Sequence, residues 1–496
     1  MLSILVGHSY FQNFDSKQID RAKPYPPLAT LQVAARLRQA GHRVTFFDAM
    51  LAASPREFDA LLHGARPQLV LLYEDNYNYL SKMCLGKMRD AAGHMIASAR
   101  GAGARVIAAG SDVSDAPEAY LRMGADLVLR GEGLPGLDRL LAHLDVDAHA
   151  GNVALIEGLP DVSTLAEGRV ATGQPIERLE KVIAVEGSGA PAGDVLDAAV
   201  AWDLVDMPRY RAIWQRAHGY FSLNMAASKG CSFRCAWCAK PIWGHRYQQR
   251  SAASVAAEMT HLKRSFDVEH IWFADDIFGF RADWVSSLAD ALRESDGFVP
   301  FNIQTRADLV TPAMAQALQA AGCHEAWIGA ESGSQRVLDA MNKGTSVQEI
   351  LVARERLKAV GVRVGFFIQL GYLGEQLDDL LATRELIEAA QPDDIGVSVS
   401  YPLPGTRFHD LVRDQLGPKT HWDDSRDLAM MFQGTYNSQF YREIRDLLHR
   451  QVDLEKPGSG AIPRHLPDHQ ALRRQWDMLI ASEMQYRSQA MLATEA

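Results

Sequence analysis

Lys229-Gly230-Cys231-Ser232-Phe233-Arg234-Cys235-Ala236-Trp237-Cys238 places three of the chain's five cysteines within eight residues. The spacing is C-x3-C-x2-C, on a glycine-led loop that follows a short apolar run at Phe221 to Asn224. Three thiolates wrap three corners of a cuboidal 4Fe-4S cluster and leave one iron open to a substrate or cofactor, because four cysteines are needed to close such a site. Residues 201–250 carry 8 basic and 2 acidic side chains, net +6. That local field favours thiolates, an anionic cluster and a ligand bearing a carboxylate. A structural zinc is the alternative, but it wants a fourth Cys or His at short spacing, and His245 is the one near candidate. Cys84 and Cys323 stand singly in amphipathic segments and read as small buried hydrophobes without a function.

Outward from this loop, apolar runs alternate with amphipathic stretches. Downstream, strands are expected near His270 to Phe273, Phe301 to Thr305, Ala326 to Ile328, Val364 to Gln369 and Ile395 to Ser400. Helices fall between them at Ser254 to Ser265, Ala282 to Glu294, Pro312 to Ala321 and Val347 to Ala359. Six βα units in about 200 residues imply a curved parallel sheet whose ligands sit at the C-terminal strand ends. Upstream, strands at Ser3 to Val6, Val44 to Phe47, Leu69 to Tyr73, Arg105 to Ala109 and Asp126 to Leu129, with helices at Thr30 to Ala40 and Ala116 to Met123, read as a doubly wound (Rossmann-like) α/β domain.

The expected organisation is an α/β domain over 1–148, a linker over 149–215, the barrel over 216–407 and a helical cap over 408–496. The linker contains Val185-Glu-Gly-Ser-Gly-Ala-Pro-Ala-Gly193, which has no sustained period. In the cap, Ser425 to Lys456 and His465 to Ala490 look helical, and Met430 to Tyr436 either shapes a cleft or packs a core.

The 496 residues exceed one core, and 47% hydrophobic with 23% charged residues is an ordinary globular composition. The net charge of −10 argues against nonspecific nucleic-acid binding. Residues 1–150 hold 16 basic and 16 acidic side chains, so the acidic surplus lies downstream. Sparse, clustered cysteines indicate a reducing compartment and a cytoplasmic location. No apolar run approaches the ~20 residues of a membrane span, and Met1 to Gly7 is too short for a signal sequence.

The cysteine loop and the segments after it resemble the radical S-adenosylmethionine superfamily, which carries C-x3-C-x2-C after the first strand of a partial (β/α)6 barrel. The resemblance implies that Cys231, Cys235 and Cys238 hold a 4Fe-4S cluster and that Trp237 packs near the adenine of S-adenosylmethionine. One-electron reduction, from a donor such as flavodoxin or ferredoxin, would then generate a 5′-deoxyadenosyl radical. Asp275 and Asp276 end the second strand, either accepting from the methionine ammonium or capping the next helix. Arg306 either faces a ligand carboxylate or pairs with a barrel neighbour. Gly329-Ala-Glu331-Ser332-Gly333-Ser334 resembles the family's ribose-binding segment. Phe367-Ile-Gln369-Leu-Gly371-Tyr-Leu-Gly374-Glu375 resembles its adenine-side glycine motif, with Leu373 where proline is common. Tyr401 to Thr406 resembles the turn after the sixth strand.

The α/β domain ahead of the barrel, with Tyr25-Pro-Pro-Leu28 opening its first helix, resembles the cobalamin-binding subgroup. That resemblance implies cobalamin contacts at Tyr10, at Gly110-Ser111-Asp112 and at Arg130-Gly131-Glu132-Gly133. The Asp-x-His-x-x-Gly motif is absent, Asp147-Ala-His149-Ala-Gly151 being one residue short, and His8 reads as a loop histidine; cobalamin without a histidine lower ligand is therefore expected. The implied function is methylation of an unactivated carbon of a small molecule. A cobalamin-dependent cyclase or rearrangement enzyme is the first alternative, and an iron-sulfur electron-transfer or sensor protein the second.

Overall fold

The structure, a computed structural model, describes residues 1–83, 85–132, 134–143, 162–166, 169–172, 199–238, 246–456 and 466–488. Cys84, Gly133, His149, the Val185 to Gly193 stretch and His245 lie outside them.

Strands β1 (Ser3–Gly7), β2 (Arg43–Phe47), β3 (Leu69–Tyr73), β4 (Arg105–Ala109) and β5 (Leu127–Leu129) form a parallel sheet in the order 2-1-3-4-5. Every residue of β1 and β3 is buried, as expected of strands covered on both faces. Ile4, Val6, Leu69 and Leu71 pack towards Leu28, Leu31 and Leu37 of the helix Leu28–Gln39. Leu5, Val70, Leu72 and Val106 pack on the other face with Phe58, Leu62, Met95 and Ile96. The order reverses between β1 and β3, so the crevice outside their C-terminal ends is where such a sheet takes ligands.

Two short strands, β6 (Val162–Ala166) and β7 (Arg169–Thr172), extend this sheet antiparallel beyond β5. They fall in the stretch read as linker, and so does the helix Met207–His218. Asp206 caps that helix, Pro208 occupies its first turn and Gly219 (φ 78°) ends it. The Trp214 indole donates to Pro24 O (2.8 Å) and the Tyr210 hydroxyl to Asp48 (2.8 Å), both with side chains in the core. A few large aromatics anchor this helix in the core although its mean hydropathy is low.

Strands β8 (Ser222–Met225), β11 (His270–Phe273), β12 (Phe301–Thr305), β13 (Cys323–Glu331), β14 (Arg363–Leu370) and β15 (Asp394–Val399) form a second parallel sheet in chain order. It curls into a half-barrel. Ile271, Phe273, Ile303, Ala326, Ile328, Val364, Phe366, Ile395 and Val397 are buried with Val255, Met259, Leu288, Leu318, Ile350 and Leu380 of the covering helices. The alternate residues Trp272, Gln304, Trp327, Phe367 and Ser398 are only half-buried and line the other face. On that face the Trp327 and Phe367 rings pack at a 30° tilt with centroids 4.9 Å apart. A Cβ on Gly365 would come within 2.6 Å of the Trp327 ring, so glycine there is what lets the indole lie flat. The apolar core runs without a break from Leu31 and Leu71 through Trp214 to Phe273 and Ile368.

The tail is only partly helical. Helices Ser438–Glu455 and Leu466–Ala481 are present, whereas Ser425 to Asn437 is irregular because its groups are committed elsewhere. Ser425 N and Oγ donate to Asp15 (3.1 and 2.7 Å), and Met430 N donates to Ser438 Oγ (2.9 Å). Among the described residues no helix is long and apolar enough to cross a membrane.

Candidate active site

After β8 the chain makes a hairpin of β9 (Ser228–Gly230) and β10 (Tyr247–Gln249), and the cysteines follow β9 directly. Gly230 turns with φ 76°, a conformation that suits glycine. Three clamps fix the loop. Ala236 N donates to Met341 O (2.8 Å), Phe408 N donates to Ala236 O (2.8 Å), and the Asn342 amide donates to Arg234 O (2.8 Å). Trp237 lies against Val337, Met341, Tyr372, Phe408 and Phe432, and its Nε1 is buried without a hydrogen-bond partner among the described residues. No three His, Cys, Asp or Glu side chains among the described residues converge on one point, as a single metal ion would need. A cluster has no such need, since each thiolate takes a different iron.

The strand-end residues hold this loop in place. Asp275 is fully buried and accepts from Ala227 N (3.0 Å) and from the Ser228 hydroxyl. Burial pushes its carboxyl up to about 7. Asp276 forms a buried ion pair with Lys82 Nζ (2.9 Å), contributed by the first sheet's side of the molecule. Arg306 is buried, with Nε and Nη2 on Asp308 (2.9 and 3.2 Å), Nη2 also on Lys343 O (2.7 Å) and Nη1 on Cys235 Sγ (3.6 Å). Glu331 follows a bulge at φ 62° and pairs with Lys343 (2.6 Å). Ser332 Oγ lies 3.2 Å from Thr383 Oγ1 and accepts from Ser334 N (3.1 Å). The Gln369 amide donates to Ser400 Oγ (3.0 Å).

Gly371 turns with φ 71°, and its N–H donates to Glu375 Oε2 (2.6 Å). Glu375 is fully buried, Oε1 has no hydrogen-bond partner among the described residues, and burial pushes its carboxyl up to about 8. The folded protein therefore keeps a proton that the unfolded chain releases above about pH 5, so this group's share of stability is lost as pH rises towards 8. Glu375→Gln is expected to keep the Gly371 bond and to flatten the fall in unfolding free energy between pH 5 and 8. The difference in slope from wild type should be up to about 1.4 kcal/mol per pH unit, read by denaturant titration. Equal slopes would show that Glu375 ionises normally.

On the first sheet, the expected contact residues are mostly bound to the protein itself. Tyr10 donates to Asp15 (3.4 Å). Asp112 is held by Arg89 and by the Tyr120 hydroxyl (2.9 Å). Gly131 N donates to Ser114 Oγ (2.9 Å), and Glu132 pairs with Lys229, the residue that opens the cysteine loop. Gly110 (φ 151°) acts through the space it leaves. A Cβ there would come within 2.6 Å of the Glu74 Cβ, so glycine admits Glu74 to the strand ends. Ser111 is buried at the start of the short helix Ser111–Asp115.

A cluster of buried polar atoms lies at the β1/β3 crevice, where the sequence points to Tyr10 and reads His8 as a loop histidine. His8 Nδ1, Ser9 Oγ, both amide atoms of Asn76 and Ser81 Oγ are buried without a hydrogen-bond partner among the described residues. His8 Nε2 accepts from Ala49 N (3.1 Å), Ser9 N donates to both Glu74 oxygens (3.0 and 3.1 Å), and Asp75 accepts from Ala29 N (3.1 Å) and Tyr77 N (3.2 Å). Orphaned polar atoms of this kind call for a partner.

Residues 225–387 match the family described as Radical SAM superfamily. An uncharacterized methyltransferase of Pyrococcus horikoshii is 25% identical over 307 residues, 61% of this chain and 62% of its own. The chain thus spans about three fifths of that relative's length. The radical S-adenosylmethionine methyltransferase TsrM from Kitasatospora setae, solved with cobalamin and a [4Fe-4S] cluster, superposes with a TM-score of 0.62 at 18% identity, covering 84% of this chain and 78% of that one. The cobalamin-dependent S-adenosylmethionine radical enzyme OxsB, solved with aqua-cobalamin, gives 0.65 at 15% identity, covering 96% and 71%. At such identities the two structures establish a shared fold.

Proposed function

We propose, from the premise that residues 225–387 are a domain of the Radical SAM superfamily, that this chain is a cobalamin-dependent radical S-adenosylmethionine enzyme. In this reading it methylates an unactivated carbon of a small molecule. One observation carries the proposal: buried Lys82, beside the β1/β3 crevice, is bonded to Asp276 at the C-terminal end of β11. The ligand edges of the two sheets therefore face one another, and reactants held on each would meet without free diffusion.

The residues fit the two groups. Cys231, Cys235 and Cys238 would ligate the cluster. Trp237, Glu331, Ser332, Gln369 and Gly371 would bound S-adenosylmethionine, with Asp275 and Asp276 fixing the wall beside it. Ser9, Asn76 and Ser81 would hydrogen-bond the corrinoid, and Gly110, Ser111, Gly131 and Glu132 would lie at its tail. When bound, the cluster and S-adenosylmethionine supply a 5′-deoxyadenosyl radical by one-electron reduction, and methylcobalamin supplies the methyl group.

The test is anaerobic purification of the full chain with hydroxocobalamin, followed by reduction with dithionite in the presence of S-adenosylmethionine. A corrinoid absorption band, 5′-deoxyadenosine and a product heavier by one methyl equivalent are expected. A protein without a corrinoid band would remove the methylcobalamin step, and an unchanged product mass would favour cyclisation or rearrangement.

A further inference from the structure

The sequence left Arg306 between a ligand carboxylate and a barrel neighbour. In the fold its guanidinium is engaged by the protein. Asp308 takes Nε and Nη2, Lys343 O takes Nη2, and Nη1 is directed at Cys235 Sγ, 3.6 Å away. The Phe233 ring, from the same loop as the sulfur, covers the guanidinium with its centroid 3.7 Å from Cζ. The residue is 4% exposed, so water competes for none of these bonds. An arginine held this way presents one N–H at a fixed angle, because its planar fork leaves no torsion to swing the donor off the sulfur.

We propose that Arg306 sets the reduction potential of the cluster by donating a hydrogen bond to the Cys235 thiolate. This rests on the reading of Cys231, Cys235 and Cys238 as cluster ligands. Potentials of iron-sulfur clusters follow net charge, solvent exposure and the hydrogen bonds made to their sulfurs. Reduction adds one electron, taken from an external one-electron donor, and places more negative charge on the sulfurs. A donor aimed at sulfur stabilises that reduced form more than the oxidised form and raises the potential. Asp308 offsets much of the guanidinium's net charge, so the hydrogen bond rather than the bare cation carries the effect. Arg306 is in this view a positioning residue, and a role at the carboxylate of S-adenosylmethionine is not required of it.

The experiment is an EPR-monitored redox titration of the reconstituted full chain without S-adenosylmethionine, with iron and sulfide counted beforehand. Arg306→Met and Arg306→Gln remove the cation, and Arg306→Lys keeps a cation without the fork. With the iron content preserved, Arg306→Met is expected to lower the reduced-to-oxidised ratio at fixed ambient potential about tenfold, equal to ~59 mV for a one-electron couple. Arg306→Lys should fall between it and wild type. Asp308→Asn, which leaves Nη1 on the sulfur and removes an anion, should hold the potential or raise it. An iron-replete Arg306→Met protein with the wild-type potential overturns the proposal. So does loss of iron in all three Arg306 variants while Asp308→Asn stays replete, since the guanidinium would then serve only to hold the loop. A wild-type chain that takes up no cluster is a different failure and removes the underlying reading of the three cysteines.

Discussion

Single replacement of Cys231, Cys235 or Cys238 by alanine is expected to bring 5′-deoxyadenosine down to the enzyme-free background and to strip most of the reconstituted iron. With three ligands for four irons, losing one leaves a second iron open, and such a cluster is not retained through desalting. The hairpin itself should survive, because β9 and β10 pair on both sides of the loop and Asp275 still holds Ala227 and Ser228. Cys323→Ala is the control. That thiol is buried and its pKa is pushed up by burial, as in a packed, unreactive side chain. Iron-replete, active protein from any of the three cysteine variants would remove the radical reading.

The second large effect concerns Lys82. Its ion pair with Asp276 is 5% and 9% exposed, and taking away one partner of such a pair leaves a charge in a place water does not reach. Lys82→Met is expected to destabilise the full chain by about 3–5 kcal/mol, read as a lowered denaturant midpoint. Lys82→Met with Asp276→Leu should recover at least half of that, because neither charge remains to be solvated. In turnover, Lys82→Met should keep making 5′-deoxyadenosine while methyl transfer falls, the two ligand edges being less firmly apposed. An unchanged midpoint in the single variant would show that the pair contributes nothing to their apposition.

The second sheet was legible because its strands are short apolar runs, punctuated by turn residues and separated by amphipathic stretches. The cysteine loop was legible because its spacing is local. What escaped is tertiary. The helix Gly86–Gly101 carries three glycines of poor helix propensity, and it forms because Met88, Ala92, Met95, Ile96 and Ala99 bury one face of it. The helix Met207–His218 announced itself only by Pro208 near its start and Gly219 after its end, the usual asymmetry of helix termini. Ser9, Asn76 and Ser81 follow no pattern. The signal that finds them is the strand order 2-1-3, which no stretch of sequence displays. The bonds of Asp112 to Arg89 and Tyr120 were equally hidden, since those partners lie on separate helices.

The contact between Asp15 and Ser425 has a consequence for how the protein comes to be. Asp15 is 2% exposed and receives Ser425 N and Oγ, Gln18 N and the Tyr10 hydroxyl. Two of those four donors are synthesised 410 residues later, a delay of roughly twenty to eighty seconds at 5–20 residues per second. Until then the nascent first domain holds a half-satisfied carboxylate at its surface. Its final closure waits on the ribosome delivering the tail.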